Sequence, residues 1–246
     1  MTGPPDLVLA ALHWLEYLGL LGGVGSLVIR RLGRIGPRIG WADPPMHVAF
    51  GAALLGGLGV LAFGPDVLIA ARVVAEGLAL FLCLSGRPPV LFAVLAPVLL
   101  PLSSHAALVQ PQPTGAELAD ALHVLSAGMW AGGVLALASL APPQGWKSPE
   151  GRALLDRFGR VALIAFGITA LTGVLRATEQ IPALSDLWST SYGLVLVLKS
   201  AGVLAMLGLA LTWRRGWPAA RAEAAATMLV IASTALLAAY PLPRIG

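Results

Sequence analysis

"ALHVLSAGMWAGGV", residues 121–134, sets a histidine, a tryptophan and a Gly-Gly pair into an otherwise apolar run. Residues 11–24, "ALHWLEYLGLLGGV", repeat the Ala-Leu-His start, the Leu two places after the His, and Gly-Gly-Val at an offset of 110 residues throughout. Working outward from these two stretches, eight apolar segments can be marked. They lie at roughly 7–29, 46–63, 66–84, 88–104, 117–140, 154–176, 190–213 and 221–240, near the length of about 20 residues that lets a helix cross a hydrocarbon core of about 30 Å. The chain of 246 residues is 57% apolar and 11% charged, against about 25% charged in an ordinary soluble domain. No ten-residue alternation marks a membrane barrel. The composition thus predicts an all-α polytopic membrane protein of eight transmembrane helices, a single transmembrane domain over 1–246.

Charge placement orients it. Of 16 Lys and Arg residues, 12 fall on one side of the eight-span arrangement, in the stretches around Arg30–Arg38, Arg87, Lys147–Arg160 and Arg214–Arg221. Basic loops stay in the cytoplasm, so both termini are expected outside. The pI of about 9.8 is then a topology signal, and no nucleic acid partner is implied. The N-terminus has no basic residue before Arg30, which is unlike a cleaved signal, so the first helix is expected to remain. One cysteine, Cys83, in an apolar run, excludes a disulfide framework and a CxxC metal cage.

Four spans separate the two quoted stretches, so their helices run in the same direction. "FGAALLGGL" (50–58) and "FGITALTGV" (166–174) echo each other as well. The chain reads as two parallel four-helix repeats, about 1–110 and 111–246, a repeat type known from transporters. The Gly-Gly pairs suit close helix approach.

Topology sorts the four histidines. His13 lies about 9 Å below the outer end of its span at 1.5 Å per residue, His123 is placed alike, and His105 sits where the fourth span leaves the outer face. His47 falls on the inner side. Three imidazoles near one surface, without cysteine, make a candidate metal site for copper, zinc or a haem iron. Glu16 shares the face of His13 one turn deeper, and Trp130 shares that of His123. Mid-membrane charges are costly and are paired or functional; Glu16, Arg72, Glu76 and Lys199 qualify. Arg72 and Glu76, at i,i+4, read as an ion pair, and Glu16 is expected to meet Lys199 beneath the histidines. Met129 and Met206 (and Met228) are weaker candidates for soft ligands, since methionine also packs well in apolar helices. Glu223 opens the last span near the inner arginines. No catalytic group is expected, because nucleophile–base pairs, phosphate loops and dinucleotide fingerprints are lacking.

"LHVLSAGMWAGG", "RFGRVALIAFGITALTGVLRA", "LWSTSYGLVLVLKSAGVLAML" and the closing "AEAAATMLV…PLP" resemble the CopD copper-resistance membrane domain, also found in YcnJ-type copper-uptake proteins. "SSHAAL" is similar to that family's outer histidine segment. The resemblance covers about 103–243 and places His105, His123, Trp130 and Lys199 on the family's pattern. It implies a bacterial inner-membrane protein that takes part in copper transport or homeostasis, with a periplasmic copper carrier as a partner beside the lipid bilayer; together with the depth of His13, the expectation is capture of the ion by His13, His105 and His123 at the periplasmic face. The chain is expected to depart from the family in having no fused copper-carrying soluble domain. Two alternatives stay open. One is a bis-His haem b protein, because the His, aromatic-Gly and later Lys pattern is also similar to HemJ-type proteins. The other is a copper-delivery factor for oxidase assembly that transports nothing. Ligation requires neutral imidazole, so acidification from about pH 7.5 to pH 5.5 is expected to weaken copper binding.

Overall fold

The computed structural model describes residues 4–102, 113–180, 183–213 and 220–240. His105 lies outside the described residues. Among these residues the chain is helical without strands. Helix α1 (Leu7–Arg34) begins at Asp6, whose carboxylate accepts from Val8 N at 2.9 Å and Leu9 N at 3.0 Å and so satisfies the first free amides. Helices α2 (Met46–Phe63) and α3 (Val67–Leu84) follow, the latter capped in the same way by Asp66. Helix α4 (Val90–Leu102) carries Pro97 and Pro101.

The stretch that opened the sequence reading forms α5 (Pro113–Ala127), a π turn (Gly128–Gly132) and α6 (Gly133–Ala138) in one continuous rod. Long α7 (Pro149–Gln180), short α8 (Asp186–Ser189), α9 (Ser191–Trp213) and α10 (Ala220–Ala238) complete the chain.

Each of the eight expected apolar segments contains helix within its described residues. Seven helices are long and apolar enough to cross a membrane. The eighth, α4, is described over 13 residues.

Helix α1 occupies the middle, against α2, α4, α10, the π turn and α6. Its approach to the π turn is set by glycine. A Cβ on Gly25 would overlap the backbone of Gly132, and one on Gly132 would overlap the carbonyl of Leu21. The two helices therefore touch backbone to backbone, as small residues permit in membranes. Outward faces keep their apolar side chains uncovered, among them Leu163, Ile164 and Leu171 on α7 and Leu198, Leu204 and Leu211 on α9. That is the surface a lipid solvent requires, since nothing is gained by hiding it.

The end of the bundle where the basic residues collect is tied by polar contacts. Arg157 donates to the carbonyls of Leu32, Ile35, Gly36 and Pro37 at 2.8–3.3 Å, tying the last turn of α1 and the segment just after it. Trp41 donates to Glu150 at 2.7 Å, and Arg30 meets Asp43 at 3.0 Å.

Candidate functional site: two polar clusters in an apolar bundle

The first cluster joins α1 to α3. Glu16 is fully buried and accepts from Arg72 Nε through Oε1 at 2.7 Å. Its Oε2 faces His13 Nδ1 at 3.4 Å. Glu76, one turn beyond Arg72, is also fully buried, with Oε1 at 3.9 Å from Arg72 Nε. His13 lies beside Tyr17, ring centroids 5.3 Å apart. The sequence-based ion pair of Arg72 with Glu76 is thus the longer of two contacts. The expected Glu16–Lys199 pair is replaced by Glu16–Arg72, because α3 rather than α9 packs in the same α1–α2–α3 layer as Glu16.

The second cluster joins α5 and the π turn to α7. His123 Nδ1 lies 3.1 Å from the Thr169 carbonyl and 3.0 Å from Thr172 Oγ1. A carbonyl oxygen only accepts, so this contact is a hydrogen bond only with the proton on Nδ1. The Thr172 hydroxyl donates to Ile168 O at 2.7 Å, which leaves it an acceptor toward His123. In the neutral ring, Nε2 then carries the lone pair. Ser126 and Thr169 share a hydrogen bond of 2.7 Å, and Trp130 Nε1 donates to Thr169 Oγ1 at 3.2 Å. The π turn carries Trp130 into this contact, where its ring meets Phe166 edge-on at 5.3 Å. Such single-turn widenings gather at functional places in helices.

At the middle of α5, one turn before His123, Asp120 pairs with Arg176 of α7 at 2.6 Å. Lys199, half-buried on α9, stands within electrostatic reach of Asp120 and His123. Met206 is fully buried, with Thr227 Oγ1 3.7 Å from its sulfur, and Met129 packs beside it. Both methionines fill the core between α7, α9 and α10. Met228 is exposed, and its carbonyl accepts from Trp14 at 3.2 Å. His47 is exposed at the start of α2, away from both clusters. Glu223 is buried at the start of α10.

No contact joins His13 to His123 among the described residues, and no three His, Cys, Asp or Glu side chains there gather closely enough to hold a metal ion. Ser126, Thr169, Thr172, Asp120 and Arg176 were not singled out in the sequence. A signal existed for two of them: Ser126 follows His123 at the spacing of Glu16 after His13, and Asp120 precedes it by one turn. The threonines belong to another helix, and only packing brings them in.

These features define a multi-pass, all-helical membrane protein with buried polar groups at the level of its apolar core. Residues 152–240 match the family described as CopD, Copper resistance protein D. The match takes in Thr169, Thr172, Arg176, Lys199 and Met206. It leaves out His123 and the whole charged cluster. Over 108 residues the chain is 34% identical to "Copper transport protein CutJ" of Bacillus subtilis (strain 168), which is 43% of this chain and 20% of that protein. The chain therefore corresponds to about a fifth of that relative's length. No solved structure matches it.

Proposed function

We propose that this protein handles copper ions in the bacterial inner membrane, with copper as its cargo and His123 as an imidazole donor. The observation that carries this reading is the anchoring of His123. Histidines that bind metal donate their second ring N–H to a carbonyl or carboxylate, which fixes the tautomer and turns the other nitrogen to the ion. Here the Thr169 carbonyl takes that role, and Nε2 is the atom left to bind. The family match over 152–240 and the name of the Bacillus relative supply copper as the ion. Imidazole without cysteine suits copper in either common oxidation state. His105 is the expected second donor from the sequence. We assign His13 to the charged cluster, since its Nδ1 faces Glu16 and no contact ties it to His123.

The same reading orients the molecule. Eight helices form two parallel four-helix repeats, with both termini and the metal donors toward the periplasm and the basic ends of α1 and α7 in the cytoplasm. The meeting of Gly132 with Leu21 and Gly22 supports the repeat, because Gly22 and Gly132 occupy equivalent places in the two quoted stretches. A periplasmic copper carrier would deliver to the outer mouth.

The test is elemental analysis of detergent-purified protein from copper-supplied cells, followed by copper flux into liposomes that contain it. Copper bound to the protein and flux above protein-free liposomes is the expected result. Iron with a haem absorption spectrum would replace this reading by the haem one. Copper bound without flux would leave delivery in place of transport.

A further inference from the structure

The first half of the molecule holds a charge imbalance that copper handling does not use. Around Gly57 of α2, Glu16 from α1 meets Arg72 and Glu76 from α3. Arg72 Nε is 2.7 Å from Glu16 Oε1 and 3.9 Å from Glu76 Oε1, so one guanidinium serves two carboxylates. Neither carboxylate has any exposure. Buried side-chain atoms without a hydrogen-bond partner are rare in native proteins, and each asks for a cause. Among the described residues such atoms occur in this cluster alone, and they include both oxygens of Glu76, Glu16 Oε2 and His13 Nδ1. A Cβ on Gly57 would overlap Glu76 Oε2 and stand 3.1 Å from Glu16 Oε1. The two carboxylates converge on the space that this glycine leaves open.

We infer that Glu16 and Glu76 form a proton-binding site inside the membrane, with one exchangeable proton held between their carboxylates. The step is simple in its balance. One O–H bond of a hydronium ion breaks, leaving water, as an O–H bond forms on one carboxylate, and the cluster passes from one surplus negative charge to neutral. A surplus charge in an apolar interior is costly. A proton removes that charge and supplies the donor that the facing carboxylate lacks.

The charges that reach Glu76 are those of Glu16 and Arg72. His13 and Tyr17 are the other titratable groups of α1 here, and the charge of Asp120 on α5 reaches Tyr17. Helix α2 contributes glycine at this level, and α4 has no ionisable residue. His13 has 14% side-chain exposure and lies 3.4 Å from Glu16 Oε2, so it is the member through which the proton enters. The site lies outside the CopD-matched residues and uses no proposed copper ligand, so it stands or falls apart from the copper reading.

Infrared spectroscopy of the full chain, reconstituted in lipid without added metal, tests it over a pH series in water and in D2O. The expected result is one protonated-carboxyl C=O band that appears on acidification, shifts in D2O, is lost in Glu76→Gln and persists in Glu117→Gln. His13→Ala should keep the band and slow its appearance after a pH jump by about tenfold or more, and an unchanged rate overturns the part given to His13. Glu16→Gln is the second variant, with the same loss expected, and the wild-type titration stands alone if neither variant folds. The inference is overturned by the absence of a titrating band in wild type. It is equally overturned by a band that survives in both variants, or by a metal ion held in stoichiometric amount by wild type and lost in Glu76→Gln.

Discussion

His13 and His123 open matching stretches of sequence, yet they serve in unlike surroundings. Three residues after His13 stands Glu16, locked to Arg72 at 2.7 Å. Three residues after His123 stands Ser126, bonded to Thr169 at 2.7 Å. The first cluster is built from full charges, the second from hydroxyls, a carbonyl and an indole. In the charged cluster, removing Glu16 takes from Arg72 its 2.7 Å partner in an apolar medium. A hydroxyl cluster depends on geometry, and each bond can be lost at modest cost. The two matching stretches thus hold different chemistry: charge in one, orientation of an imidazole in the other.

The difference can be broken most sharply at Glu16. Glu16→Ala leaves Arg72 beside a single, more distant carboxylate, and is expected to cost about 3–5 kcal/mol, as for other broken buried ion pairs. Thermal unfolding in detergent measures it, beside Ser126→Ala at the equivalent place, where about 1 kcal/mol is expected. Equal losses at the two positions would erase the distinction. Gly132→Ala is next in size. Its Cβ has no room against Leu21, and a loss of about 1–3 kcal/mol is expected, while Gly51→Ala, with open space around it, should leave the melting temperature near that of wild type.

Thr172→Val sharpens the comparison on the copper side. It removes an acceptor 3.0 Å from His123 Nδ1, and copper affinity is expected to fall about 10-fold, the low end for lost support of a metal-binding histidine. Competition with a copper chelator reads this out, and Glu76→Gln in the same assay should show no change. The smallest effect belongs to Trp130→Phe, which keeps the packing on Phe166 and loses one bond to Thr169. About 1 kcal/mol is expected from denaturant unfolding, with little change in copper binding.

Much of this architecture was readable before any coordinates. Long apolar runs have one stable solution in lipid, so the eight helical segments follow from composition. The i,i+3 and i,i+4 spacings placed Glu16 near His13 and Glu76 near Arg72, because those relations lie within one helix. Pairings between helices were not legible. Depth alone suggested Lys199 for Glu16, but depth does not say which neighbour a helix faces, and α1 turns Glu16 to α3. Thr169 and Thr172 escaped notice for the same reason, as ordinary residues on a helix far away in sequence. The π turn at Gly128–Gly132 gave no sequence signal beyond its glycines.

The most direct measurement is a copper titration of detergent-purified protein with His123→Ala and His13→Ala side by side. The account predicts that His123→Ala loses the high-affinity copper and that His13→Ala keeps the wild-type affinity. Equal loss in both variants would contradict it and would join the two histidines in a single site. Full retention in His123→Ala would remove that residue from copper handling altogether.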